Sequence, residues 1–156
     1  MSLFLRNLFF TILQPGIVAG LIPYFIIRRS LSTSIEQPFS LYQYLGSMIF
    51  ILGFMLMLIC IANFAIRGRG TLSPVDPTKK LVIGGPYKFS RNPMYVGVMM
   101  ILIGESIFFQ STATCIYSLV IFIAFYTFVV FFEEPYLRER FGDEYNRYVR
   151  NVRRWV

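Results

Sequence analysis

Long apolar stretches are the feature that most constrains how this chain can fold. Two of them, residues 8–27 and 41–66, carry no charged side chain, and each is long enough to cross about 30 Å as a helix. A third, residues 94–109, contains a single acid, Glu105, and a fourth, residues 113–132, is again uncharged. We therefore predict an all-α integral membrane protein with four transmembrane helices, built as one domain over residues 1–156.

The details of these stretches refine the prediction. Arg6 before the first stretch would also suit a signal peptide, but Pro23 and its neighbours stand where a small-residue cleavage site would be needed, so we favour an anchor. Gly46, Ser47 and Gly53 in the second stretch are candidates for close helix packing. Because so few residues separate the third and fourth stretches, we expect these two helices to form a hairpin.

The distribution of basic residues predicts the orientation in the membrane. A net charge of +7 would suggest nucleic acid in a soluble protein, but here the cations lie between apolar segments, so we expect no nucleic-acid partner. The second loop and the C-terminal tail carry six Lys or Arg each, while the first loop has two and the third loop none. We predict a multi-pass protein, of the bacterial inner membrane, with both termini and the second loop in the cytoplasm. The second-loop cations are Arg67, Arg69, Lys79, Lys80, Lys88 and Arg91.

Histidine and paired cysteines are missing from the sequence. The chain has no histidine, which removes the commonest general base and metal ligand, and we expect no metal site. Cys60 and Cys115 fall at different predicted depths, the first near the inner end of the second helix and the second near the outer end of the fourth. A disulfide between them is therefore not expected.

The loop before the third stretch is long, and its last residues form a well-defined motif. Gly84-Gly85-Pro86 is typical of a tight turn. Asn92 is a favoured N-cap and Pro93 is favoured at the first helical position, so we expect the third helix to begin here. Arg91 beside that helix N-terminus would suit an anion such as a carboxylate, but from this motif alone we favour an ordinary capped membrane helix.

The residues after the fourth stretch form a second motif. Glu133 and Glu134 would oppose the dipole at a helix C-terminus, so local stability does not explain them. The tail that follows has an apolar stripe at helical spacing, and Gly142-Asp143 indicates a helix stop with a new N-cap. An amphipathic helix resting on an anionic leaflet accounts for the stripe and the arginines, but not for the paired glutamates. The stripe comprises Leu137, Phe141, Tyr145, Tyr148 and Val152.

Both motifs resemble those of the isoprenylcysteine carboxyl methyltransferase family, whose broader pattern the phospholipid methyltransferases share. The resemblance rests on residues 85–97, which read GPYKFSRNPMYVG, and on Glu133-Glu134 with the glycine, phenylalanine and tyrosines that follow. It covers about the C-terminal half, with the motif-bearing half at residues 67–156. It implies an integral membrane methyltransferase that uses S-adenosylmethionine.

In that family the Arg-His-Pro-x-Tyr-x-Gly block and the paired glutamates form the cofactor pocket under the C-terminal helix. We assign substrate orientation to Arg91 and Arg153. The cofactor-binding residues implied by the resemblance and by their chemistry are Tyr87, Arg91, Asn92, Pro93, Tyr95, Glu133, Glu134, Tyr145 and Tyr148. The carboxylates suit ammonium or ribose groups, the arginine a carboxylate and the tyrosine rings a sulfonium.

The sequence departs from the family pattern at Asn92, where the eukaryotic enzymes have histidine. Asparagine cannot shuttle a proton, but methyl transfer to a thiolate or carboxylate needs alignment more than a base. The N-terminal half is short, so a prenylated protein substrate does not carry over. The expected partners are the lipid bilayer and a small or lipidic thiol, carboxylate or amine that accepts the methyl group at the cytoplasmic face.

Two other interpretations stay open. A nicotinamide-dependent membrane reductase of the sterol-reductase type would need a basic cluster for a 2′-phosphate. The loose candidates, which lack the expected motif, are Arg67, Arg69, Lys79 and Lys80. A non-enzymatic four-helix scaffold would bind no cofactor. Glu105 lies about 16 Å from the inner end of its helix, and we favour a structural ion pair, with Arg28 or Arg29, or a position at the outer rim over a functional role.

Overall fold

The computed structural model describes residues 15–28, 40–63, 66 and 81–156. Within these ranges the chain is helical, apart from turns and one isolated β-bridge. The predicted all-α class is confirmed. The helices are α1 (Ile17–Ile27), α2 (Leu41–Asn63), α3 (Pro93–Phe108), α4 (Thr112–Phe128) and α5 (Glu134–Asn151).

Two of the helices are long and apolar enough to cross a membrane by length and composition. They are α2 and the continuous helix Thr112–Asn151, whose N-terminal part is α4. Helices α1 and α3 are apolar but shorter, and for α1 the predicted start at residue 8 lies outside the described residues. The predicted boundaries of the other three stretches agree with the structure to within a few residues, since residues 94–109 correspond to Pro93–Phe108.

Glycines bring α2 and α3 into backbone contact. A Cβ atom built on Gly53 would lie 2.7 Å from the carbonyl oxygen of Gly97, and one built on Gly46 would lie 2.7 Å from that of Gly104. Each pair is reciprocal, because Cβ atoms on Gly97 and Gly104 would meet the backbone of α2 at 3.0 Å or less. The predicted close-packing role of Gly46 and Gly53 is confirmed, and their partners on α3 are the other half of the seam.

Helix α3 is the central helix of the bundle. Its residues Val98, Ile101 and Leu102 are almost fully buried and form the core with Met57 of α2 and Ala19 of α1. The outward faces of α2 and α4 are apolar yet exposed, and lipid is the solvent that suits such faces. The core therefore lies along α3, and the periphery is apolar too.

Helix α4 does not end at the paired glutamates, as the sequence had suggested. It passes through a π-helical turn, Val129–Glu133, directly into α5. Pro135 has no N–H, and its ring would clash with the carbonyl group of Phe131 in a regular α-helix, so the backbone widens by one residue here. Glu134 is the first residue of α5, and the expected clash with a helix C-terminal dipole does not arise.

The short connections follow the predicted pattern. A tight turn at Phe109–Ser111 joins α3 to α4, and the Ser111 side chain caps α4 by accepting a hydrogen bond from the Thr114 backbone at 3.2 Å. Helix α5 is kinked at Gly142, whose φ of 49° and ψ of −122° are accessible to glycine alone. The predicted break at Gly142-Asp143 is confirmed.

Candidate functional site

The residues before α3 form a compact turn against the end of α2. Gly85–Lys88 is a short 3-10 helix that Gly85 enters with a φ of +64°, as the Gly-Gly-Pro motif predicted. Tyr87 is buried and packs with Val82 against Cys60. The Tyr87 side chain also forms a hydrogen bond with the Cys60 thiol. Cys115 lies exposed near the start of α4, at the other end of the bundle, so the two cysteines are far apart as predicted.

Asn92 stands at the N-cap position of α3, but its side chain does not cap the helix, contrary to our expectation. Its Nδ2 atom instead donates a hydrogen bond to the carbonyl oxygen of Arg154 at 3.0 Å. Ser90 Oγ takes part in the same arrangement, since it accepts from the Asn92 backbone N–H at 3.2 Å. A tertiary partner has therefore displaced the local one.

The C-terminal segment lies beside this motif and runs parallel to it. Ser90 and Arg153 form an isolated parallel β-bridge, and the backbone N–H of Arg91 donates to the Arg153 carbonyl at 2.9 Å. The next residue but one, Trp155, packs its ring 5.8 Å from that of Phe122 on α4. The end of the chain is thereby fixed against the start of α3.

Glu134 is buried and is the centre of an ion-pair network with two arginines. Arg154 approaches it with two nitrogens, Nε at 2.7 Å from Oε1 and Nη2 at 3.0 Å from Oε2, a bidentate geometry. Arg91 Nη1 lies 3.0 Å from the same Oε1 atom, at an angle that makes it an ion pair rather than a hydrogen bond. Since one carboxylate meets two guanidinium groups, this part of the cluster has an excess of positive charge.

Glu133 has a different environment from its neighbour. Its Oε2 atom accepts a hydrogen bond from the Tyr95 hydroxyl at 3.0 Å, and Tyr95 stacks at a tilt against Phe125, with the ring centroids 4.6 Å apart. In the part of the chain that the structure describes, Glu133 forms no ion pair. The two adjacent glutamates therefore differ, because Glu134 is neutralised by arginines whereas Glu133 has a neutral partner.

Three tyrosines join the two motifs. The Tyr148 hydroxyl donates to the carbonyl oxygen of Tyr87 at 2.6 Å, which fixes α5 to the 3-10 turn. Burial raises the pKa of Tyr145, and the negative charges of Glu134 and Glu133 raise it further, while Arg91 lowers it. Tyr145 is thus within electrostatic reach of all three charged residues. Burial also raises the pKa values of Tyr87 and Tyr148, so these hydroxyls stay protonated at neutral pH.

The structure thus gathers the predicted site residues at one end of the bundle, but the arginine side chain expected from Arg153 comes from its neighbour Arg154. The Arg153 side chain is exposed, and this residue contributes its backbone. Arg154 supplies the guanidinium that reaches Glu134, and this hydrogen bond raises the pKa of Arg154 despite some burial. Sequence reasoning missed Arg154 because neighbouring arginines cannot be told apart by residue type, and it missed Ser90 although that residue lies inside the quoted motif.

A comparison with known protein families covers most of these site residues. The sequence profile described as phospholipid methyltransferase matches residues 41–144, more than half of the chain. This chain belongs to the phospholipid methyltransferase family. The match runs from the start of α2 through α3 and α4 into α5, and it contains Arg91, Glu133 and Glu134. The predicted relation to this group of methyltransferases is confirmed.

Other comparisons add little chemistry to the family assignment. An uncharacterised protein of Haemophilus influenzae is 32% identical over 63 residues, which are 40% of this chain and the whole of that protein. No solved structure matches the chain. The phospholipid methyltransferase assignment and the apolar helices together identify a membrane protein of a methyltransferase family.

Proposed function

We propose that this phospholipid methyltransferase family member transfers a methyl group from S-adenosylmethionine to a small or lipidic thiol, carboxylate or amine at the cytoplasmic face of the membrane. The observation that carries the proposal is that Glu134 is paired with two arginines whereas Glu133 is paired with none among the described residues. The Arg91 side chain is 10% exposed, and its buried Nε atom has no hydrogen-bond partner among the described residues. Glu133 forms no ion pair among the described residues, and its Oε2 atom accepts a hydrogen bond from the neutral Tyr95 hydroxyl.

An amino acid head group fits these two residues. The methionyl part of S-adenosylmethionine has an ammonium group and a carboxylate on one carbon atom. The open donors of Arg91 suit the carboxylate, and Glu133 suits the ammonium group, each through a charge-assisted hydrogen bond. A buried polar atom without a partner is costly, so a ligand that satisfies Arg91 Nε would be bound at an advantage.

Other residues of the cluster would hold these two in place. Glu134, with its two arginines, positions the Arg91 guanidinium and is a positioning residue rather than a ligand. Tyr95 orients the Glu133 carboxylate. Asn92 holds the C-terminal segment. Tyr87, Tyr145 and Tyr148 line the same region and offer aromatic faces to a sulfonium cation.

The chemistry asks little of acid–base groups at this site. When bound, S-adenosylmethionine would supply a methyl group activated by its cationic sulfur, with a neutral thioether as the leaving group. The residues here would contribute by alignment, which is worth several kcal/mol in barrier height, and by excluding water. The described residues contain no histidine, and none is required for a thiolate or carboxylate acceptor.

We propose that the protein lies in a bacterial inner membrane as a bundle of four spans, with both termini in the cytoplasm. Helix α2 and the continuous helix Thr112–Asn151 have the length for a span, and α1 and α3 are apolar and pack in the same core. The basic residues of α5 and the C-terminal segment lie at the end of the bundle that carries Arg91, Glu133 and Glu134. A reporter fused after Val156 should be active only on the cytoplasmic side, and activity on the outer side would contradict this orientation.

Calorimetric titration of the purified protein tests the cofactor directly. We expect S-adenosylmethionine and S-adenosylhomocysteine to bind and NADPH not to bind. Binding of NADPH alone would favour a membrane reductase, and binding of none of the three would favour a scaffold. Glu139→Gln is the matched control for variants of the site, because Glu139 is an exposed carboxylate on α5.

A further inference from the structure

The C-terminal segment, residues 152–156, is the outer wall of the site around Glu134. Each of its residues keeps part of its surface exposed, whereas Ser90, Asn92 and Glu134 beneath it are buried. The Arg154 carbonyl oxygen accepts hydrogen bonds from Ser90 Oγ at 3.3 Å and from Asn92 Nδ2 at 3.0 Å. A short segment held in this way at the end of the chain can be released without unfolding of the helices.

Arg154 of this segment and Arg91 compete for one carboxylate. Arg154 holds Glu134 in a bidentate fork, with Nε 2.7 Å from Oε1 and Nη2 3.0 Å from Oε2. Arg91 Nη1 also lies 3.0 Å from Oε1, but it makes no hydrogen bond there. Because a guanidinium fork on a carboxylate engages both oxygen atoms, the docked segment keeps Arg91 from forming the same bidentate pair.

Arg91 keeps donors open as a result. Its Nε and Nη1 atoms are buried without a hydrogen-bond partner among the described residues, although Tyr145 forms a side-chain hydrogen bond with the same residue. Unpaired buried N–H donors cost free energy that a bound anion would recover. The docked segment therefore leaves Arg91 held in place and able to take an anionic ligand.

Unpartnered N–H donors are concentrated at this end of the bundle. Among the residues that the structure describes, the buried side-chain N–H groups without a hydrogen-bond partner belong to Arg91 and Trp155. Glu105 Oε2, an unpartnered acceptor, lies near the other end of α3, and it lacks the ion pair with Arg28 that the sequence suggested. Donors rather than acceptors are open beside Glu134, so this end suits an anion.

We propose that docking of the C-terminal segment switches Arg91 from an internal partner of Glu134 to a ligand for the cofactor carboxylate. With the segment docked, Arg154 takes Glu134 and the Arg91 donors stay open. With the segment released, Arg91 is the cation left beside Glu134 among the described residues, and a small rotation from the present 3.0 Å contact forms a bidentate pair that closes the anion site. The inference rests on the proposed function, which assigns Arg91 to the carboxylate of S-adenosylmethionine.

Two forms of the cofactor separate this role from a purely structural one. Decarboxylated S-adenosylmethionine keeps the sulfonium and the amine but lacks the carboxylate. The wild type should bind S-adenosylmethionine about tenfold or more tightly than the decarboxylated form in calorimetric titrations. Arg154→Gln should lower the affinity for S-adenosylmethionine about tenfold, as when Arg91 is open in about a tenth of the molecules, and should leave the decarboxylated form within about twofold.

Trp155→Ala loosens the same segment without a change of charge. It removes the ring contact with Phe122, at 5.8 Å between centroids, and should reduce the preference for S-adenosylmethionine about two- to tenfold. The control is Arg150→Gln, which removes an exposed arginine from the last turn of α5 and should keep the wild-type preference. A loss in Arg154→Gln with none in Trp155→Ala would mean that Arg154 acts only as a nearby positive charge, and it overturns the proposal.

Acrylamide quenching of tryptophan fluorescence reports docking directly, because Trp155 is the one tryptophan in the sequence. Quenching should rise in Arg154→Gln, and S-adenosylmethionine should lower it in the wild type whereas the decarboxylated form should not, since binding and docking favour each other equally. Failure of the wild type to bind either form overturns the proposed function and this inference with it. Binding of both forms with equal affinity, or quenching that does not respond to S-adenosylmethionine, overturns the inference alone.

Discussion

Helix α1 and the α4–α5 helix contain the same backbone irregularity in different chemical surroundings. Each has one π-helical turn, Ile17–Leu21 in α1 and Val129–Glu133 between α4 and α5. In both, the residue after the turn donates its N–H five residues back, and a proline follows. The prolines, Pro23 and Pro135, explain both turns, because each removes a donor and would clash with a carbonyl group in a regular helix.

The positions that match in the two turns hold unlike residues. Leu21 and Ile22 of the first turn are partly exposed apolar side chains. Glu133 and Glu134 occupy the same two positions in the second turn, and they contact Tyr95, Arg91 and Arg154. The comparison teaches that a widened turn is not in itself a functional feature. The turn changes the direction of two side chains, and the residues that those side chains contact decide whether a functional site forms.

Glu134→Ala should give the largest effect, because it leaves two arginines without their anion. Loss of one partner from a buried ion pair costs about 3–5 kcal/mol, so we expect a marked drop in the thermal unfolding temperature in detergent. Ile22→Ala, at the matched position of the first turn, removes a side chain that is 38% exposed and should cost far less. Equal drops for the two variants would contradict the central role of Glu134.

Glu133→Gln should affect binding rather than folding, since Tyr95 is the one hydrogen-bond partner that Glu133 has among the described residues. We expect the affinity for S-adenosylhomocysteine to fall about ten- to hundredfold, as for the loss of a charge-assisted hydrogen bond. Tyr95→Phe should give a smaller loss in the same direction. The control is Leu21→Ala at the matched position, which should leave affinity unchanged. An unaltered affinity in Glu133→Gln would remove this carboxylate from the binding site.

Pro135→Ala tests whether the widened turn itself matters. With the donor restored, the turn can close to a regular α-helix, which rotates the following residues by about 100° relative to the preceding ones. Glu133 and Glu134 cannot then keep both sets of contacts, and we expect about a tenfold loss of affinity for S-adenosylhomocysteine. Pro23→Ala should leave affinity unchanged, although loss of its buried ring will lower stability. Equal affinities in both variants would show that the turn is not needed.

Substitutions of Asn92 should give the smallest effects and distinguish a cap from a tertiary contact. A capping side chain would be replaced well by aspartate. Because Asn92 Nδ2 donates to the Arg154 carbonyl, aspartate has no proton to give and should destabilise more than alanine, which costs about 0.5–1.5 kcal/mol. Thermal unfolding of the two variants decides the point. If aspartate proved as stable as asparagine, the contact with Arg154 would contribute nothing.

The sequence by itself determined the helices and the two motifs. Uncharged runs of helix length identified α2 and α4, and the break at Gly142 followed from residues close together in the chain. The motifs that carry Arg91 and Glu133 could be recognised because their residue types and spacing are local properties. Such features depend on neighbouring residues in the chain, so they can be predicted without knowledge of the fold.

The tertiary structure decided which partners these residues take. Nothing in the sequence distinguishes Glu133 from Glu134, or Arg153 from Arg154, because adjacent identical residues differ only in the direction that the backbone gives them. The widened turn at Pro135 and the parallel segment beside Ser90 set those directions. Asn92 likewise has a local role open to it as a cap, but the Arg154 carbonyl, 62 residues away, takes its N–H group. Contacts across such separations depend on helix rotation and register, which only the packed bundle defines.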